Sequence, residues 1–136
     1  MRVRFEVEGL PPKKDGANSM WHKPTEQTRL LALRIAAKHA MGGQAPFRSP
    51  VALTIRLHAL PSDGDLDNFI TGICDGLMAA AQNTPACEFW AARPDVDPSK
   101  RIALEDDRLV QRIAAERLSP GAAGRRYFVE LEDYAA

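Results

Sequence analysis

In residues 2–8 every second side chain is apolar: Val3, Phe5 and Val7 alternate with Arg2, Arg4, Glu6 and Glu8. The same period returns at Val51, Leu53, Ile55 and Leu57, and again at Tyr127, Val129 and Leu131. Successive side chains of a strand point to opposite faces, so each stretch reads as a strand with one buried and one wet face. Strands of this kind need a second layer to cover the buried face, and the intervening sequence supplies it with helical periodicity. Pro24-Thr25-Glu26 opens a helix to about Met41, with Leu30, Leu33, Ala37 and Met41 inward and Gly42-Gly43 as its stop. A second helix is expected over about residues 68–82, on Phe69, Ile70, Ile73 and Leu77. Arg108–Leu118 reads as a further strand, although its apolar residues do not alternate cleanly.

Between these elements lie breakers. Gly9-Leu10-Pro11-Pro12 ends the first strand and leads into a polar loop through Ser19; Ser119–Gly124 forms a turn. Residues 83–101 contain Pro85, Pro94 and Pro98 with little periodicity and read as a surface insertion. The expected architecture is one α+β (mixed α/β) domain over residues 1–136. It has a mixed sheet of about four strands and two helices, in the order β-α-β-α-β-β.

A chain of 136 residues with 45% apolar and 26% charged residues suits one core that needs no staples. No apolar run nears the roughly 20 residues of a membrane span, and the alternating N-terminus lacks a signal-peptide core, so the expected compartment is the cytoplasm. Cys74 and Cys87 match no zinc or Cys-x-x-Cys spacing and read as packed, reduced thiols. Net charge is zero, but residues 1–60 carry ten Lys/Arg against four Asp/Glu, and residues 61–136 eight against fourteen. Such a split suits phosphate binding by one region and metal binding by the other, or complementary faces of a dimer, or neither.

The chemistry concentrates at Asp65-Leu66-Asp67-Asn68. If the chain stays extended there, Asp65 and Asp67 share a face and one cation, since carboxylates packed together without a cation repel. Alternatively, Asp67 or Asn68 is only the N-cap of the helix that follows, and Asp63-Gly64 only a turn. A calcium loop starting at Asp63 fails, because its sixth position is Asn68 rather than Gly and its twelfth Cys74 rather than Glu. Glu105-Asp106-Asp107 is a second acidic cluster, and oxygen ligands without His or Cys favour magnesium or manganese over zinc.

The order of these features resembles the RusA family of Holliday-junction resolvases. The shared elements are an N-terminal strand, a proline loop with basic residues (Pro11-Pro12-Lys13-Lys14), a helix, a strand, and Asp65-Leu66-Asp67-Asn68 with Asp75-Gly76-Leu77 downstream. Asp106-Asp107 then opens what the family builds as a terminal β-hairpin. The resemblance spans most of the chain outside residues 83–101. It implies a homodimeric, magnesium- or manganese-dependent endodeoxyribonuclease that cuts four-way DNA junctions, with Asp65, Asp67 and Asp107 as catalytic metal ligands. Asp106, Asn68 and Arg108 are secondary candidates beside them. Two positions depart from the pattern. Thr71 stands where the family commonly has a lysine, and Gly64 where a basic residue often precedes the first aspartate. Arg108, Arg112 or Lys100 are candidates to supply the missing charge. A catalytically impaired RusA-like DNA-binding protein is the alternative reading. Lys13, Lys14, Lys23, Arg34 and Lys38 are candidate phosphate contacts, each equally readable as part of a solvated basic face. Trp21 is either a base-stacking platform or a core or interface anchor.

Overall fold

A computed structural model describes residues 1–14, 20–80 and 87–135. The elements run β1 (Arg2–Glu8), α1 (Pro24–Met41), β2 (Val51–His58), α2 (Leu66–Leu77), the short α3 (Glu88–Ala91), β3 (Val110–Leu118) and β4 (Arg126–Asp133). The three clean alternations are all strands of one mixed four-stranded sheet, making an α+β domain as the periodicities require. Their apolar sides are buried without exception: Leu53, Ile55 and Leu57 of β2 and Tyr127, Val129 and Leu131 of β4 are each at most 1% exposed.

The spatial order is β1-β4-β2-β3. β4 lies between β1 and β2, antiparallel to both, and β3 runs parallel to β2 on its far side. β3 and β4 therefore do not form the terminal hairpin implied by the resemblance, because β2 separates them. The loop between them crosses the end of β2, where His58 is in register with both Leu118 and Arg126. Asp63 anchors that loop: its carboxylate takes two hydrogen bonds from Arg125, at 2.7 and 3.0 Å, and one from the Leu60 amide at 2.8 Å.

α1 matches its expected span. Gly42 adopts φ 59°, the left-handed conformation that closes a helix, and its amide reaches the Lys38 carbonyl. α2 starts two residues earlier than its apolar pattern suggests and stops short of the expected 82: Met78 is already extended and 78–80 are not helical, while 81–82 lie outside the described residues. Gly72 and Gly76 let other chain segments touch this helix. A Cβ at Gly72 would lie 1.9 Å from the Pro12 carbonyl oxygen, and one at Gly76 2.6 Å from Leu33 Cδ2. The proline loop thus rests directly on α2, and α1 packs against α2 one turn further along.

The expectation of a surface excursion at 83–101 needs correction where that segment is described. Residues 83–86, with Pro85, lie outside the described residues, as does the loop at 15–19. From Cys87 onward the segment folds against the core. Trp90 (2% exposed) and Val96 (6%) are buried, and Trp90 donates to the Trp21 carbonyl at 3.1 Å. Trp21 joins Met20, Leu30 and Trp90 in a second apolar cluster, so it is a core anchor rather than a surface platform.

Candidate functional site

α2 carries the acidic motif at its start. Asp65 is the N-cap residue, in extended conformation (φ −74°, ψ 139°), and Asp67 is already inside the first turn. The chain turns helical between the two, so the fully extended stretch that would align them is absent. The capping alternative shifts as well: the cap position is Asp65, not Asp67 or Asn68, and its side chain makes no capping hydrogen bond. Asp67 instead accepts from the Asn68 amide at 3.0 Å, and the Thr71 hydroxyl donates to the Asp67 carbonyl at 3.0 Å. Both carboxylates are exposed, at the helix end where the backbone dipole favours negative charge.

Asp106 and Asp107 sit just before β3. Asp106 caps the short 3-10 turn Asp107–Leu109, accepting from the Arg108 amide at 2.9 Å and from its guanidinium at 3.1 and 3.2 Å. Hydrogen bonds from Arg108 hold the Asp106 carboxyl below the usual range. Asp107 is displaced the other way. Partial burial, a hydrogen bond shared with Asp106, and the charges of Asp106 and Asp75 all raise its carboxyl. Beneath this group the Cys74 thiol is pushed up to about 12, first by burial and then by Asp75 and Asp107, so it stays protonated. Both cysteines are free thiols, Cys74 buried and Cys87 half-buried.

The topology decides which carboxylates meet. Asp65 leaves the C-terminal end of β2, whereas Asp107 enters the N-terminal end of its parallel neighbour β3. Arg117, near the far end of β3, donates to the carbonyls of Leu60 and Gly64. The seven steps from Val110 to Arg117 span roughly 23 Å at strand rise, placing Asp107 at the opposite end of the sheet from Asp65. α2 runs back along this distance, and its Asp75 faces Asp107. Asp75 lies eight residues beyond Asp67, roughly 12 Å along the helix. The expected triad of Asp65, Asp67 and Asp107 is thus not drawn together; the carboxylates that feel one another are Asp75, Asp106 and Asp107. Among the described residues, no three His, Cys, Asp or Glu side chains form a group that could hold a metal ion.

Asp75 belongs to the Asp75-Gly76-Leu77 stretch of the resemblance, which assigns it no role. It lies on the face of Asp67 and Thr71, at i, i+4 and i+8, a spacing that marks a helix stripe but not its partner on a distant strand.

The basic candidates divide. Lys14 forms an ion pair with Asp75 at 3.3 Å, bringing a cation from the proline loop to the acidic face of α2. Lys13 donates its backbone amide to the buried Glu26 carboxylate at 2.7 Å, and its side chain lies against Gly64. Lys23 is half-buried at the N-cap of α1. Lys38 is exposed and lines an open groove with Lys100, Arg101 and Asp95. Arg108 is engaged by Asp106, and Thr71 is exposed.

Arg34 must be withdrawn as a phosphate contact. It is 0% exposed, and its guanidinium makes five hydrogen bonds of 2.6–2.8 Å to the carbonyls of Val96, Gly76, Met78, Asp97 and Lys100. Burial lowers its pKa to about 10, against the opposing pull of Asp97, so it remains charged at neutral pH. Two of its acceptors are carbonyls at the C-terminal end of α2, which helix geometry leaves without partners. Arg34 caps that helix and pins residues 96–100 to it.

No family model matches this chain, and no curated protein matches it significantly.

Proposed function

We propose that the chain is a subunit of a divalent-metal-dependent endodeoxyribonuclease acting on branched DNA, of the kind that resolves four-way junctions. The observation that carries this reading is the grouping of Asp107 with Asp106 and Asp75, its carboxyl raised first by partial burial and then by those two neighbours, beside an acidic stripe along α2. Carboxylates held against their mutual repulsion are a standing attraction for a cation. The donor set fits magnesium or manganese: hard oxygens, a protonated neighbouring thiol, and the two or fewer carboxylates magnesium requires. Asp107 and Asp75 would hold the ion, with Asp106 beside them fixed by Arg108; Asp65 and Asp67 serve the other end of the stripe. When bound, such an ion lowers the pKa of a coordinated water and polarises a phosphodiester.

The chain's own residues do the rest. Lys14, paired with Asp75, offers a positive charge beside the acidic stripe, in the role for which the family uses the lysine that Thr71 replaces. Lys13 and Lys38 extend the basic surface toward a DNA backbone without reading sequence.

One observation favours a second reading. The distance between the Asp65/Asp67 end of α2 and Asp107 suits a RusA-like protein that binds junctions without cutting them.

Incubating the protein with a synthetic four-way junction in magnesium, manganese or chelator separates the two. Nuclease action predicts metal-dependent cutting that falls about 100-fold or more in Asp107→Asn and in Asp67→Asn, with junction binding retained. An active Asp67→Asn would remove the start of α2 from the reaction. Thr71→Lys should raise the rate if a cation on that turn limits it. Binding without cutting in either metal would establish the second reading.

A further inference from the structure

The proline loop sets a lysine on the acidic face of α2, and it does so with a fixed backbone. Pro11 and Pro12 are buried, and the Pro12 carbonyl oxygen lies against Gly72, where a Cβ would come within 1.9 Å of it. The Lys13 amide donates to the Glu26 carboxylate at 2.7 Å, and the Lys14 amide donates to the Asn68 carbonyl of α2 at 3.3 Å. These contacts keep the loop from sliding along the helix. The Lys14 side chain is held differently. It is 56% exposed, and its ammonium reaches Asp75 at 3.3 Å, two turns of helix beyond Asn68.

Asp75 is the less open partner, its side chain 22% exposed, and its charge is felt by Asp107. The ammonium therefore rests on one of the two carboxylates assigned above to a divalent ion. Lys14 and such an ion compete for Asp75, because like charges crowded onto one carboxylate repel. An exposed Lys–Asp pair is weak, so the exchange is easy. The lysine stem is long and flexible, so the ammonium can leave Asp75 while the loop stays on α2. Once released, it remains within a side chain's length of the acidic face, where a phosphate drawn to the site would meet a mobile positive charge.

We infer that Lys14 is a stand-in cation: it neutralises Asp75 in the metal-free protein, yields that carboxylate when a divalent ion binds, and then turns to the phosphodiester of the substrate. The inference rests on the metal reading proposed above and adds to it a residue that changes partner as the site loads. A loop residue thereby supplies, only after loading, the charge that Thr71 lacks.

Free Mn2+ counted by electron paramagnetic resonance gives the ion affinity of the full chain without DNA. Lys14→Gln should bind Mn2+ about 2- to 5-fold more tightly than the parent, the span set by loss of an exposed competing pair. Lys13→Gln removes the same charge from the same loop, but the Lys13 side chain lies against Gly64, so it should leave Mn2+ affinity unchanged. Binding of a synthetic four-way junction in Ca2+, followed by fluorescence anisotropy across a salt series, should move the other way. Lys14→Gln should bind the junction more weakly, with a log–log salt slope shallower by about 1. With chelator in place of Ca2+ the slopes of parent and Lys14→Gln should coincide, because Lys14 then stays with Asp75. Weaker binding of both Mn2+ and DNA by Lys14→Gln would reduce Lys14 to a structural role and overturn the inference. So would an unchanged Mn2+ affinity, equal tightening in Lys13→Gln, or a slope difference that persists in chelator. If parent and Lys14→Gln alike fail to bind Mn2+, the metal reading itself falls, and the exchange with it.

Discussion

Arg34 is the residue on which the packing of this fold most depends. A guanidinium presents five donors in a rigid fork, and here each meets a backbone carbonyl in a buried or partly buried setting. Arg34→Met should destabilise the protein by about 4 kcal/mol, in the range for breaking a buried charged network. Arg34→Lys should recover less than half of that, since an ammonium has three donors and no fork. Urea unfolding checks both, and a loss below about 1 kcal/mol would mean that water replaces the arginine. Tyr127 is the opposite case. Its hydroxyl is buried with no hydrogen-bond partner among the described residues, and burial raises its pKa. Tyr127→Phe should therefore stabilise by about 1 kcal/mol, seen as a higher denaturation midpoint. Asp63 contributes to acid behaviour, as do Asp97 and Asp106, whose carboxyls are lowered too. Hydrogen bonds from Arg125 hold the Asp63 carboxyl below the ordinary value, so its stabilising effect is complete above that value and disappears as pH falls through the lowered one. Asp63→Asn should weaken the protein at pH 7 and match the parent more closely at pH 3, with urea midpoints as the measure.

At the scale of elements, the strands were legible and their neighbours were not. Alternation identifies a buried face, so β1, β2 and β4 follow from residues 3–7, 51–57 and 127–131. β3 reads poorly because it is exposed on both sides, and such a strand has no face to write into its sequence. Nothing local says that β2 will insert between β3 and β4, a choice made by the helices and loops around them. The candidate site shows the same division. The acidic residues were visible as clusters, but their pairing across the fold depends on strand direction: a parallel β3 brings Asp107 to Asp75 rather than to Asp65. Arg34 looked like a surface cation because nothing in its own helix distinguishes a buried arginine from an exposed one. Its five acceptors lie 42–66 residues away. Gly72 belongs to this scale too. Gly72→Ala would drive a methyl group into the Pro12 carbonyl, so it should shift the proline loop off α2 and cost roughly 1–3 kcal/mol. The same change should detach Lys14 from Asp75, and urea unfolding reads the loss of stability.

Across the whole molecule, charge and topology act together. The basic first half contributes β1, the proline loop, α1 and β2, and the acidic second half contributes the α2 stripe and the β3 entrance. Lys14 against Asp75 is one seam where the halves meet, and Arg126 against Glu6 at 3.7 Å is another. The position of β4 has a further consequence. It is the last strand along the chain yet sits inside the sheet, bridging β1 to β2. Until residues 126–133 arrive, β1 has no strand partner among the described residues and the sheet exists only as the β2–β3 pair. A polypeptide cut before Arg126 should thus behave as an unfolded or aggregating species rather than as a trimmed domain. Assembly must wait for a late, long-range closure, the kind of step that slows folding and leaves apolar strands open to capture by one another.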